Sequence, residues 1–308
     1  MKLDFGRVQG TAAVRIDPER CRVCGACVAV CKGGPLYLQD GKVCVDQTRH
    51  FGCIACGHCM AVCPHDGISV EGRDFAPDDV LDLPPRERCA TYEQLQALML
   101  ARRSVRSFLP REVEPEAIAR IVSAATTAPM GIPPSEVHVA VFAGRARLGE
   151  LRADLLEAMR AMKRFFSPVV LSLFRLFMSK ESHAMMKSFI LPIIETYDAK
   201  DRRGEDWFMY DAPLGMLFCG SPCADPTDAV IAVTYAMLAA ESLGLGSCML
   251  GFPAQVLKRN RKLMEKYRLP AKMTPGLFIV FGYPATKFRR ALKRRFAQVE
   301  YFGPDGKP

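Results

Sequence analysis

A chain of 308 residues with 49% hydrophobic side chains has room for two domains and a substantial core, and it contains no low-complexity tract. The opening MKLDFGRVQG lacks an apolar h-region, and no apolar run reaches about 18 residues, so neither a secretory signal nor an ordinary membrane span is expected and the cytoplasm is the expected compartment. The net charge of +9 is uneven. Residues 1–71 hold eight Lys/Arg and seven Asp/Glu, a net of +1, whereas residues 255–308 hold fourteen and three, a net of +11. A basic tail of this kind is a solvated face, a phosphate site, a surface for an acidic protein or a contact with an anionic membrane surface. No nucleic-acid motif accompanies it, so nucleic acid is not expected.

Nine of the 13 cysteines precede Gly67. In a chain without an export signal, clustered thiols point to metal rather than to disulfides. The run CRVCGACVAVC reads C-x2-C-x2-C-x3-C through Cys21, Cys24, Cys27 and Cys31. The run CIACGHCMAVC repeats it through Cys53, Cys56, Cys59 and Cys63, followed by Pro64. Three thiolates at this spacing on a tight loop wrap one corner of an iron–sulfur cubane, and the fourth points away toward a neighbouring cluster. Gly25 and Gly57 suit a backbone that must bend close to inorganic sulfur. Zinc competes, because C-x2-C pairs also build zinc ribbons, but such a site takes four ligands from two pairs rather than two runs of four.

On these runs, residues 12–72 resemble a bacterial-type two-cluster 4Fe–4S ferredoxin. The resemblance implies crossed ligation, with Cys21, Cys24, Cys27 and Cys63 on one cluster and Cys53, Cys56, Cys59 and Cys31 on the other. Two departures stand out. The first run ends in Lys32-Gly33-Gly34-Pro35 rather than Cys-Pro, and a longer insert separates the runs, with a hairpin predicted at Asp40-Gly41. Cys44 within it reads as a small buried apolar residue. His58 and His65 are not needed as ligands, since eight cysteines satisfy two clusters. Such clusters carry single electrons, so the rest of the chain must contain what uses them.

Residues 76–90, with Pro77, Pro84 and Pro85 among charges, read as a linker between a domain at 1–75 and one at 91–308. A helix is predicted from Thr91, where Thr91 and Gln94 form a capping box ahead of Leu95, Leu98 and Met99. The segment RRSVRSF follows. Extended, it sets Arg102, Ser104 and Arg106 on one face, which makes either a phosphate clamp or a charged surface strand. A second helix is predicted over PEAIARIVSAAT, opened by Pro115. Strands are predicted at His138–Phe142, Leu214–Phe218 and Leu277–Phe281. The helix Asp228–Leu243 is apolar nearly all round, as expected of one buried on every side in a core or a subunit interface. The mixture is α+β.

RRSVRSF, APMG, DAVIAVTYAMLAAESLGLGSCMLGF and GLFIVFGYP occur in the order and spacing of the FMN-dependent nitroreductase family, which residues 91–296 resemble apart from an insertion near 155–205. The resemblance implies an α+β sandwich with a central, mostly antiparallel sheet flanked by helices. It implies FMN bound by Arg102, Ser104 and Arg106 at the phosphate and ribityl chain, with Lys287 and Arg290, and Arg294 further on, completing the phosphate site. Pro129, Met130 and Gly131 would line the flavin ring, and Leu250-Gly251 would bring a backbone amide near N5. Family members often carry Asn-x-Gln-Pro-Trp after the Ala-Pro, and the Asn bonds the flavin. Here Pro133, Pro134 and Ser135 stand in that place, and proline side chains make no hydrogen bonds.

The expected protein is thus an iron–sulfur flavoprotein oxidoreductase, with two 4Fe–4S clusters and FMN. It would pass electrons to a small organic electrophile such as a nitro compound or quinone, taking them from a donor protein or NAD(P)H, and work as a homodimer. An electron-transfer or redox-sensing module without turnover is the alternative. No catalytic acid is assigned. GLGSCMLG follows a helix rather than a strand, so it fails as a dinucleotide loop. Cys219, Cys223, Cys89 and Cys248 read as structural, as do His138 and His183. In the insertion, FFSPVVLSLFRLFM (Phe165–Met178) is too short for a membrane span, at roughly 21 Å as a helix. With MMKSFILPII it forms either extra core, a mobile cover over the flavin or a membrane-surface contact.

Overall fold

The computed structural model describes residues 6–32, 34–165 and 179–303. The N-terminal segment is built from short pieces: strands β1 (Ala13–Ile16), β2 (Leu36–Gln39), β3 (Lys42–Val45) and β4 (Ile68–Glu71), and one-turn helices α1 (Ala26–Val30) and α2 (His58–Ala61). β1 pairs antiparallel with β4, and β2 with β3. The β2–β3 hairpin turns at Asp40 and Gly41, both with positive φ, as the Asp-Gly pair predicts. Its aliphatic core is small: Ala12, Leu36, Val43, Ile68 and Val70 pack with Cys27 and Cys59. Cys44 is half-buried rather than part of this core, because side chains alternate along β3 and its neighbour Val43 takes the inward side.

Two short 3-10 turns in an exposed segment lead to α3 (Tyr92–Ala101). Its capping box forms as expected, with the Gln94 amide donating to Thr91 Oγ1 and the Thr91 amide to Gln94 Oε1. Then come α4 (Pro115–Thr126), β5 (Val137–Ala143), α5 (Arg145–Phe165), α6 (Lys180–Met185) and, after a π-helical turn over Met186–Ile190, α7 (Leu191–Asp201). β6 (Leu214–Gly220), α8 (Asp228–Ser242), β7 (Gly246–Leu250), α9 (Gly251–Arg259), α10 (Arg261–Lys266) and β8 (Thr274–Gly282) complete the domain. The expected apolar stretch Phe165–Met178 lies outside the described residues, save that Phe165 closes α5.

The sheet order is β5-β6-β8-β7, antiparallel throughout. Side chains alternate across it. Leu214, Met216, Phe218, Ile279 and Phe281 face α4 and α8, while Leu217, Cys219, Phe278 and Val280 face α5 and α9. β6 is buried along its whole length, which is why it reads in sequence as a continuous apolar run. α5 is tied to α7 by Arg160, which pairs with Asp198 and Asp201.

α8 buries Ala229, Ala232, Val233, Ala236 and Ala240 in the core, while among the described residues Val230 and Tyr235 on its other side are exposed, the side left to the expected subunit interface. One element differs from expectation. β7 was not read from the sequence. Its GSCML follows α8 directly through Gly244, and five residues give too little alternation to register.

RRSVRSF runs beside β7. Ser104 bridges Ser247 in parallel, the Val105 amide donates to the Ser247 carbonyl at 2.9 Å, and the Ala285 amide donates to the Ser107 carbonyl at 2.9 Å. A Cβ on Gly246 would stand 2.5 Å from Val105 Cγ2, so only glycine lets this segment lie so close. Gly246→Ala is therefore expected to lose about 1–3 kcal/mol of stability by overpacking, measured by denaturant unfolding.

Candidate functional site

The two cysteine runs fold alike. Val23 and Ala55, and Gly25 and Gly57, occupy matching positions with positive φ. A β-branched residue in the left-handed region is costly, so the loops are held in their wrap by what surrounds them. Gly25 and Gly57 begin α1 and α2, and a Cβ on Gly57 would also strike the Phe75 ring at 2.8 Å. Gln47 braces the second loop, accepting from the Cys53 amide and donating to the Ala12 carbonyl, each at 2.9 Å.

The cysteines divide into two groups across the runs, not along them. Cys21, Cys24, Cys27 and Cys63 line a narrow cavity. Cys31, Cys53, Cys56 and Cys59 line a separate and larger one of about 1080 Å³. Burial pushes the Cys27 and Cys53 thiols up, and Cys59 up to about 12. Their sulfur neighbours raise them further: Cys21 and Cys63 act on Cys27, while Cys53, Cys56 and Cys31 act on Cys59. Thiols of this kind ionise when iron charge is placed among them. Among the described residues no three His, Cys, Asp or Glu side chains converge as one small ion needs, with its metal–sulfur bonds of about 2.3 Å. Four sulfurs around each cavity suit a cluster better than zinc. His65 borders the first cavity and His58 the second, beside complete cysteine sets.

The larger cavity has a second wall from the other domain, which includes Pro129, Met130, Gly131, Pro133 and Pro134. Three contacts hold this wall. Arg73 is 6% exposed and donates to the Gly10 carbonyl at 2.7 Å and to the Pro133 carbonyl at 3.2 Å. Arg7 pairs with Asp74, and its amide and Nε reach Glu136 and the Ser135 carbonyl. Asp228, buried at the start of α8, accepts the Gly131 amide at 3.1 and 3.3 Å. A carboxylate is favoured at this helix end. Pro133 and Pro134, joined by a cis peptide bond, thus border the ferredoxin-like segment.

The basic segment lies at the far edge of the sheet. Arg106 sits beside Cys248 and Tyr210, and Arg102 faces Glu241 and Cys248. Tyr197 is close enough to Arg106 to feel its charge, while burial pushes the Tyr197 phenol up to about 12 and the Tyr210 phenol upward as well. Both phenols are donors at neutral pH. Leu250 caps α9 and Gly251 opens it, at the end of β7. Lys287 and Arg290 are exposed, and Arg103 Nη2 touches the Arg290 carbonyl at 3.4 Å, which brings the tail to the same edge. The Ser247 hydroxyl is buried here and has no hydrogen-bond partner among the described residues. Arg102, Ser104 and Arg106 therefore lie along β7, which ends at Leu250-Gly251, and Arg290 meets the same segment through Arg103. Pro129, Met130 and Gly131 lie in the loop that leads to β5, the strand at the opposite edge of the sheet.

Sequence reasoning missed Arg7, Arg73, Tyr197, Tyr210 and Asp228. Only Asp228 had a local signal, as an acid opening an otherwise apolar helix. Cys219 is buried, raised to about 11 by that burial, and points to the His138 carbonyl, whereas Cys223 is exposed, so the two are not paired.

Residues 99–283 match the model described as Nitroreductase family, and residues 13–64 match the one described as 4Fe-4S dicluster domain. No curated protein matches the chain. Among solved structures, a nitroreductase with bound FMN from Bacteroides fragilis is 19% identical, with 67% of this chain and 95% of that chain covered and a TM-score of 0.46. A nitroreductase with bound FMN from Desulfitobacterium hafniense is 18% identical, with 68% and 98% covered and a TM-score of 0.48. An FMN-dependent nitroreductase from Clostridium difficile is 18% identical, with 68% and 99% covered and a TM-score of 0.47.

Two substitutions test the geometry. Cys63→Ala is expected to remove the cluster held with the first run and spare the other, read from iron and sulfide content and the low-temperature EPR of the reduced protein. Asp228→Ala deletes both acceptors of the Gly131 amide, and losing a bond to a charged group costs about 1.5–3 kcal/mol. Faster hydrogen exchange at Gly131, with cluster content unchanged, is the expected result.

Proposed function

As a member of the Nitroreductase family this chain is an FMN-dependent oxidoreductase, and we propose that it feeds electrons from two 4Fe–4S clusters to the flavin in order to reduce a small organic electrophile. The observation that carries this reading is the shared cavity, with four cysteines on one wall and the Pro129–Gly131 loop on the other. When bound, the clusters supply single electrons, and the flavin collects two and delivers them to an acceptor such as a nitro compound or quinone.

The chain's own residues bind and orient. Cys21, Cys24, Cys27 and Cys63 would hold one cluster, and Cys31, Cys53, Cys56 and Cys59 the other. Arg102, Ser104 and Arg106 would grip the phosphate and ribityl chain with charge-assisted bonds, joined by Lys287 and Arg290. The unpartnered Ser247 hydroxyl, next to Ser104, suits a polar ligand at this edge. Tyr197 and Tyr210 present phenol donors beside Arg106. Tyr197 belongs to the 155–205 insertion, whose Leu155, Leu156, Met159 and Ile194 join the core, so the described part of that insertion is core that also reaches the edge where Arg106 stands.

A homodimer completes the site. The residues expected to hold FMN lie at opposite edges of one sheet, and a second copy brings the loop of one subunit to the basic edge of the other. Apolar side chains left open in the single chain support pairing: Leu95 and Met99 on α3, Tyr235 on α8, and Phe288, Leu292 and Phe296 along the extended tail. The electron donor is a reduced carrier protein or NAD(P)H. Among the described residues no helix is long and apolar enough to cross a membrane, and the cytoplasm is the proposed compartment.

Arg106→Ala is expected to weaken FMN binding roughly ten- to a hundredfold, with iron content unchanged, by fluorescence titration of the apoflavin protein. Anaerobic reoxidation tests the function. Flavin reoxidised at catalytic rates by nitroaromatics or quinones supports the enzyme. Reoxidation by protein carriers alone overturns it in favour of an electron-transfer module.

A further inference from the structure

The two cysteine sets are not equivalent in their surroundings. Among the described residues, those walling the narrow cavity of Cys21, Cys24, Cys27 and Cys63 all fall between Ile16 and Ile68. Arg22, Val23 and Cys24 on its loop are exposed. The cavity of Cys31, Cys53, Cys56 and Cys59 instead opens onto Pro129, Met130 and Gly131, with Arg73 on its wall. Arg73 also spans the gap physically, bonded to Gly10 on one side and to Pro133 on the other.

From this asymmetry we infer a fixed order of redox centres: Cys21, Cys24, Cys27 and Cys63 hold the donor-facing cluster, Cys31, Cys53, Cys56 and Cys59 hold the flavin-facing cluster, and Arg73 is the positioning residue of that second junction. The inference rests on the proposed cofactors and adds their sequence. An external one-electron donor of low potential, a reduced iron–sulfur protein, reduces the first cluster. That cluster is reoxidised as the second gains the electron, and the second is reoxidised as the flavin gains it. Two passes, with two protons from solvent, leave the flavin fully reduced and both clusters as they began.

Arg73 stands at one of the two sites only. A cluster is more negative when reduced, so a nearby guanidinium stabilises the reduced form and raises its potential. Arg73 lines the second cavity and not the first, so its buried charge acts on the flavin-facing cluster, whereas Arg22 on the first cavity and Asp74 and Asp79 on the second are exposed to solvent.

The test uses the full-length protein loaded with clusters and FMN, and a reduced [2Fe–2S] ferredoxin as donor under anaerobic stopped flow. Cluster reduction is followed by freeze-quench EPR and the flavin by its visible absorbance. In Cys56→Ala, with the first cluster intact by iron content and EPR, the donor should still reduce that cluster while flavin bleaching falls to the rate of cluster-free protein. In Cys24→Ala, reduction of the second cluster and of the flavin should be lost together with the donor ferredoxin, and be restored together by dithionite. Flavin bleaching at the parent rate in Cys56→Ala, with its loss in Cys24→Ala, would overturn the order. Parent protein that binds no FMN, or whose clusters never bleach it, would instead defeat the proposed function. For Arg73→Gln, an EPR-monitored titration should lower the potential of the second cluster and leave the first unchanged, and Arg73→Lys should restore it. Equal shifts in both clusters, or none, would remove Arg73 from the scheme.

Discussion

A single buried guanidinium joins the two halves of this chain. Arg73 stands almost without solvent contact and donates to one carbonyl in each half, Gly10 and Pro133. Burying a charge is costly unless its donors are used, so this side chain constrains its surroundings: the carbonyls must be where the fork points. The Arg7–Asp74 pair beside it is about half exposed and contributes little energy by itself. It guides the approach, while Arg73 sets the distance. The shape of the larger cavity, and the proximity of four cysteines to the Pro129–Gly131 loop, follow from that spacing.

The departure at Pro133-Pro134 gains an explanation from the same contact. The family resemblance implies an asparagine that bonds the flavin near this point, and proline offers no side-chain donor. Proline still keeps a carbonyl, and here the Pro133 carbonyl receives Arg73. The loop that the resemblance sets against the flavin here meets the cysteine-bearing segment through that carbonyl. The Gly131 amide, two residues earlier, is held from the opposite direction by Asp228, so the loop is fixed at both ends.

Local chemistry was legible in the sequence and long-range convergence was not. The cysteine spacing, the Asp40-Gly41 turn and the Thr91–Gln94 capping box each express a constraint within a few residues, and each appears as read. β6 and β8 were legible because central strands are apolar on both faces. β7 was not, because its five residues carry no period and its role depends on Val105 lying across Gly246. Arg73, Tyr197 and Tyr210 had no signal at all. Their partners are remote in sequence, and nothing near an arginine in a loop says which carbonyl 60 residues away it will find. The reading of α8 stayed open for a related reason: an apolar helix shows that something covers it, in a core or across a subunit interface, not whether the cover is in the same chain.

The crossed division of the cysteines bears on how the N-terminal segment stays folded at all. Domains of this size bury a modest fraction of their surface, and among the described residues this one buries only six aliphatic side chains besides its cysteines: Ala12, Leu36, Val43, Ala55, Ile68 and Val70. A centre that joins Cys21 to Cys63, and another that joins Cys31 to Cys53, would close long loops in the unfolded chain and remove much of its conformational entropy, as disulfides do in small secreted domains. The inorganic groups would then serve as staples as well as carriers. Each run also lends its last cysteine to the other's site, so either centre alone would still tie the two runs together, and only the loss of both would release the whole segment.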